Sequence, residues 1–294
     1  NAIYLAISND DGTGTFTWSD RIEHPATSWG PEWETRLGDL DGQNGTDIVW
    51  SSRGSSHNYT WIAMNNGDGT FSFPARRDLP GTGWGSYRLT IGDINGDLSE
   101  DLIWNPVASH NRTYVGRSNG NGAFTLVGPV DAAVVNGWGN YGLQQGDINR
   151  DGRTDLIWTD LDPTRTPTPI HRALGLADAR VSHLGWQGVD RVNAAPLAQY
   201  IGDFNGDGGA DILWNEMDVG VNHVWIGLSN VNGGFDFTPL DQEHPASGGG
   251  EDWTAFVGGV LVLDVDGDGR DDVVWNERGA TNRIYVARAR PSGS

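Results

Sequence analysis

Five acidic nonapeptides share one plan: DLDGQNGTD at 39–47, DINGDLSED at 93–101, DINRDGRTD at 147–155, DFNGDGGAD at 203–211 and DVDGDGRDD at 264–272. Their first residues lie 54, 54, 56 and 61 residues apart. That period is too long for a helical solenoid and suits one blade of a β-propeller. Each loop then marks the same corner of successive blades.

The flanks repeat as well. A short strand ends in Gly-Asp or its equivalent before each loop (TRLGD, LTIGD, LQQGD, QYIGD, LVLD), and an apolar strand after it ends at Trp50, Trp104, Trp158, Trp214 or Trp275. A third, alternating strand follows an asparagine, as in NYTWIAM from Asn58 or NHVWIGLS from Asn222. Gly/Asn turns then lead to an outer strand. Four strands per repeat predict an all-β fold, one propeller domain over 1–294 with five repeats. The alternative is a piece of a six- or seven-bladed ring. The chain starts with NAIYLAIS, a third strand, and ends on another, NRIYVARA at 282–289. The N-terminal strands are therefore expected to supply the outer strand that the fifth repeat lacks and to close the ring without free edges. Residues 159–200, with prolines at 163, 167 and 169 and no hairpin signature, predict a third blade that is degenerate or specialised, with degeneracy the favoured reading.

Oxygen-bearing side chains at loop positions 1, 3, 5 and 9 suit a hard cation that takes six to eight oxygens, which predicts up to five Ca²⁺ ions. The ligands would be Asp39, Asp41, Gln43 and Asp47; Asp93, Asn95, Asp97 and Asp101; Asp147, Asn149, Asp151 and Asp155; Asp203, Asn205, Asp207 and Asp211; and Asp264, Asp266, Asp268 and Asp272. Position 6 calls for positive φ, which Gly152, Gly208 and Gly269 adopt readily. Asn44 and Leu98 stand there in the first two loops, so weaker occupancy is expected at 39 and 93. Asp, Asn and Gly also build turns without metal. Five copies in register would cluster like charges, which favours the cation.

The loops hold 18 of the 39 acidic residues, and the formal charge of the 294-residue chain is −20. All 19 basic residues are arginine, with no basic stripe for nucleic acid or an anionic membrane. Cysteine is absent, so the fold rests on its core and its loops. Weak calcium sites fit the millimolar calcium outside cells, which predicts a secreted or surface protein. No apolar run reaches membrane-spanning length. Residues 1–10 read as a strand, so a mature form or a fragment is expected.

The loop followed by DLIW and NRTYVGRSNGNGAF resembles FG-GAP or VCBS repeats, the calcium-loop blades of integrin α-subunit heads and many secreted propellers. Within that group the hairpins look most like propeller lectins related to the Psathyrella velutina lectin. That resemblance implies sugar pockets between blades with calcium loops as supports. The tryptophans at strand ends read as core. Trp29, Trp84, Trp138, Trp186 and Trp253, set mostly in glycine-flanked connectors, could stack on a pyranose or plug gaps between blades. Partners would be glycans or glycoproteins. His24 and His244 share an EHPA context and read as repeat structure. Gly116-Arg117-Ser118-Asn119-Gly120 matches a nucleophile-elbow pattern but falls at a strand–hairpin junction. Repetition favours a multivalent binder over an enzyme. A protein-binding adhesion propeller and a polysaccharide lyase or hydrolase are the alternatives, the latter needing an asymmetric cluster such as one around His171, Arg172 and His183.

Overall fold

The computed structural model describes residues 2–9, 13–25, 32–52, 59–79, 84–107, 112–131, 141–162, 165, 167–189, 197–218, 221–243, 256, 259–277 and 283–290. The described residues are all-β apart from 3-10 turns at Trp84–Ser86 and at Phe256. Among the described residues no helix is long and apolar enough to cross a membrane. Two compact units are formed, Asn1–Gly139 with Leu176–Arg180, and Asn140–Gly175 with Val181–Ser294.

The first unit opens with a ribbon in which β1 (Ala2–Ile3) pairs β4 (Ile22–Glu23) and β2 (Ala6–Ser8) pairs β3 (Phe16–Trp18). The first repeat follows as β5 (Trp33–Gly38), β6 (Asp47–Ser52) and β7 (Tyr59–Asn65). Its outer strand is split into β8 (Phe71–Ser72) and β9 (Arg77–Asp78), both on β7. The second repeat is the antiparallel sheet β10 (Tyr87–Gly92), β11 (Asp101–Pro106), β12 (Arg112–Ser118) and β13 (Phe124–Asp131).

The second unit holds the other three repeats. They are β14 (Tyr141–Gly146) to β17 (Val181–Val189) through β15 (Asp155–Asp160) and β16 (Thr168–Gly175); β18 (Leu197–Gly202) to β21 (Phe235–Glu243) through β19 (Asp211–Asp218) and β20 (Val221–Ser229); and β22 (Val260–Leu263), β23 (Asp272–Asn276) and β24 (Ile284–Ala287). The last sheet has three strands. Among the described residues nothing pairs with the outer edge of β24.

One register runs through all five sheets. Gly38, Gly92, Gly146, Gly202 and Leu263 face the last aspartate of their loops. The strand tryptophans face Trp61, Tyr114, His171, Trp225 and Tyr285 on the third strands. Within each unit the tryptophan face of one sheet packs on the aliphatic face of the sheet before it. Trp104 joins Val49 and Ile62; Trp214 joins Ile157 and Ile170; Trp275 joins Leu213. Trp104, Trp158, Trp214 and Trp275 are buried, and burying such indoles is a principal stabilising term.

Neighbouring loops are stapled by backbone. The N–H groups of Glu100, Ala210 and Asp271 donate to the carbonyls of Asp39, Asp147 and Asp203 at 2.7, 2.8 and 2.8 Å. Glu100 and Asp271 return the bond with their carboxylates, each accepting from the N–H of Asp39 or Asp203. The close approach needs a bare backbone: a Cβ on Gly202 would lie 2.6 Å from Val262.

The third repeat corrects the sequence expectation of degeneracy. It is a complete four-stranded sheet whose β16–β17 hairpin closes by Leu176 N–H to Arg180 C=O at 2.9 Å. Ala179 takes φ 61° at the turn position that Gly233 fills, at φ 70°, in the fourth repeat. A three-residue hairpin needs that left-handed residue but not a glycine letter, so the Asn/Gly signature is missing while the turn is present.

Candidate functional site

The loop geometry is set by its first and last aspartates. At position 1, Asp39, Asp93, Asp203 and Asp264 each receive with Oδ1 the N–H groups of positions 4 and 5, and Asp147 receives that of position 5. Oδ2 takes the position-6 N–H in loops two to five. These bonds hold the Asp264 carboxyl below the usual carboxylate range. Position 6 has positive φ in every loop: Asn44 60°, Leu98 68°, Gly152 79°, Gly208 84° and Gly269 84°.

Position 9 works differently. Asp47, Asp101, Asp155, Asp211 and Asp272 are 0 or 1 % exposed. Oδ2 of each accepts the position-2 N–H, and Oδ1 accepts an N–H at the end of the third strand: Asn65, Ser118, Gly175, Ser229 or Ala289, at 2.7 to 2.9 Å. The residue chosen from sequence as a ligand is thus also the pin between loop and third strand. Each oxygen keeps a second lone pair. Burial pushes Asp47 and Asp211 up to about 6 and Asp101 and Asp155 up to about 7.

Carboxylate oxygens of Asp39, Asp41 and Asp47 lie within 4.8 Å of one another, as do those of Asp264, Asp266 and Asp268. Gln43 offers its backbone N–H to Asp39 and Asp41. In loops two to four an asparagine holds position 3: Asn95, Asn149 and Asn205 donate Nδ2 to Asp97, Asp151 and Asp207 at 2.8 to 2.9 Å. The donor sets are all oxygen, two of them convergent, and they fit a hard divalent cation.

The tryptophans divide otherwise than their glycine-flanked context suggests. Trp84 is 7 % exposed and packs on Tyr87, Trp104 and Tyr114 with ring centroids 5.3, 5.5 and 4.9 Å away. Its ring fills the gap beside the strand tryptophan, which corrects the expectation of a solvent-facing platform. In the first repeat His24 is ringed by Trp50, Trp61 and Phe73 at 4.9 to 5.1 Å, and burial pulls its pKa down to about 4. Trp186 lies on the outer strand β17, not on a connector, and is 59 % exposed. Trp29, Trp138, Trp253 and His244 lie outside the described residues.

Around Trp186 the third sheet gathers polar groups that sequence spacing did not connect. Trp186 pairs across the ladder with His171, His171 with Trp158, and Tyr141 with Asp160. Cross-strand partners share a face, so all five stand on one side of the sheet. Arg165 bonds the buried Asp160 at 2.6 Å, and the Tyr141 hydroxyl joins both. The Tyr141 and His171 rings are 5.4 Å apart. Burial lowers His171 to about 4, with His183 on the same face adding to the effect, and the His183 ring stacks on Trp158. Arg172 points elsewhere, donating to the Gly233 carbonyl at 2.6 Å. The Ser118 hydroxyl of the elbow-like pattern is buried and donates to Leu40 C=O.

The FG-GAP-like repeat family model matches residues 39–104 and 99–158, which takes in the first three loops, so this part of the chain carries FG-GAP-like repeats. No curated protein sequence matches the chain. Among solved structures, a Photorhabdus luminescens Tc holotoxin pore is similar at 16 % identity and TM-score 0.52, over 97 % of this chain and 12 % of that one. A Bacillus licheniformis rhamnogalacturonan lyase gives 12 % identity and TM-score 0.42, over 81 % and 57 %. A Bacteroides thetaiotaomicron endo-arabinase gives 12 % and 0.37, over 84 % and 90 %. The chain thus spans about an eighth of the toxin chain and just over half of the lyase. The likeness to the toxin is one of fold.

Proposed function

We propose that this protein is an extracellular carbohydrate-binding β-propeller whose repeat loops are held by calcium. The observation that carries the reading is the exposed Trp186 indole, cross-strand from His171 and on the same sheet face as Tyr141 and the Asp160–Arg165 pair. An indole face stacks on the apolar face of a pyranose while charged and hydroxyl groups at its rim bond the ring hydroxyls. The indole lies along bare backbone, since a Cβ on Gly188 would fall 3.1 Å from its edge. Calcium would be held by positions 1, 3 and 5 with position 9 behind them, and its charge would let the buried aspartates ionise. The five sheets are read as blades of one propeller.

Binding of the wild type to a glycan array, competed by free sugar and lost in Trp186→Ala at an unchanged melting temperature, is the expected result. Binding that survives the substitution would move the site elsewhere. A polysaccharide-active enzyme is the second reading, favoured by the asymmetry of the Tyr141, His171 and Arg165 cluster. Release of new ends from a polysaccharide would establish it.

A further inference from the structure

Arginines meet the position-5 carboxylate in loops three, four and five, but not by the same route. Arg153 and Arg270, both at position 7, pair with Asp151 and Asp268 of their own loops. In the fourth loop position 7 is Gly209, and the guanidinium comes from the neighbouring loop. Arg150, at position 4 of loop three, pairs with Asp207 and also donates to the Ser229 carbonyl at 3.0 Å.

Two independent features mark this contact as built. Arg150 has φ 63°, at the position where the sister loops place Gly42, Gly96, Gly206 and Gly267 at 68 to 77°. A side chain there works against its own backbone preference. Gly209 is the other feature: a Cβ on it would lie 2.8 Å from Arg150 Nε and 2.4 Å from Ser229 Oγ. The fourth loop gives up its own position-7 arginine and leaves a cradle for the one delivered from loop three.

We propose that Arg150 is the resident counter-ion of loop 203–211, and that a divalent cation occupies that loop only by displacing it. The displacement rests on the calcium reading; the counter-ion role does not. The pair is about two-thirds buried, with side chains 30 and 32 % exposed, so solvent screens it less than a surface pair. Loop four then fills after loop one, where Asp39, Asp41 and Asp47 converge with no arginine pair among the described residues. That order inverts the ranking expected from loop composition, which put 203 ahead of 39.

Arg150→Met removes the charge and keeps the backbone conformation; Arg150→Gly removes the charge and relieves the backbone. Both are compared with wild type by thermal melting in chelator and by calorimetric titration with CaCl₂ at low ionic strength. Arg150→Met should melt lower in chelator, regain its loss with calcium, and bind calcium about tenfold more tightly at one site. In chelator, Asp207→Asn should shift the melt of the Met variant less than that of wild type. Equal melts with no coupling to Asp207→Asn would overturn the counter-ion, and unchanged affinity would overturn the displacement. No calcium uptake by any of the proteins would remove the calcium reading and the displacement together, while the chelator cycle still decides the counter-ion.

Discussion

The second and third sheets are built on the same ladder and filled with opposite chemistry. In the second, Tyr87, Trp104 and Tyr114 occupy three aligned positions, and Trp84 closes on them as an aromatic block. In the third, the aligned positions hold Tyr141, Trp158 and His171, Asp160 replaces Pro106, and His183 replaces Leu126 as partner of a small residue on the third strand. The backbone register is unchanged. Pinning by the position-9 aspartate and the buried strand tryptophan maintains the sheet, which leaves the remaining side chains of that face free to change from aromatic packing to polar groups. Repetition fixes the scaffold, and departure from it marks the proposed site.

The sharpest test of that contrast compares Trp84 with Trp186. Trp84→Ala should cost about 3 to 5 kcal/mol, as should Trp104→Ala, because each opens a cavity in one aromatic cluster. Neighbours in one cluster do not add, so the double variant should fall short of the sum. Trp186→Ala should stay within about 0.5 kcal/mol of wild type. Denaturant melts of the four variants and of wild type decide the matter. A Trp84→Ala variant as stable as Trp186→Ala would mean that the second sheet does not depend on its block.

What the sequence made legible follows the same division. Loops, strand order and the Gly/Asn hairpins could be read because period-two alternation and left-handed turn residues leave local marks. The third hairpin could not, since Ala179 does the work of a glycine. Trp84 stayed open between platform and plug because a Gly-Trp-Gly context is the same whether the ring turns outward or into the gap beside Trp104. The Tyr141, Asp160, Arg165 and His171 cluster is spread over three strands and a loop, and only the cross-strand register brings it together. The arginine pairs escaped for a similar reason: Arg150 and Asp207 are 57 residues apart. Like charges in the loops had been matched to metal alone, whereas part of the compensation is built into the chain.

Acidification offers a second, smaller contrast. Burial pulls His171 down to about 4 from the ordinary histidine value of about 6.5, so the unfolded chain takes up the proton first and stability is lost as pH falls from about 6.5 toward 4. Its counterpart in the second sheet is Tyr114. His171→Tyr should therefore be more stable than wild type at pH 4.5 by about 1 to 2 kcal/mol, a figure already discounted for the ring's partial exposure, and the gap should close near pH 7.5. Asp47, Asp101, Asp155 and Asp211 titrate in the opposite sense. Their raised pKa values favour the metal-free fold at low pH and disfavour it as pH rises through 6 to 7, but they are common to both proteins and cancel in the difference. A difference independent of pH would show that His171 is solvated as well as an exposed histidine.

The smallest effect compares the loops themselves. Leu98 in the second loop and Gly152 in the third hold the same position at φ 68° and 79°, yet only glycine adopts that region without steric cost. Leu98 is 81 % exposed, so it returns little packing for the strain. Leu98→Gly relieves roughly 1 to 2 kcal/mol of left-handed strain and gives back up to about 1 kcal/mol through the greater freedom of glycine in the unfolded chain. The net should be a gain of about 0.5 kcal/mol, read as a higher urea midpoint at unchanged slope. Leu98→Ala separates the two terms: it keeps a Cβ and therefore the strain, and should fall at or below wild type. If alanine stabilised as much as glycine, the exposed leucyl side chain and not the backbone would be the liability, and the second loop would differ from the third only at its surface.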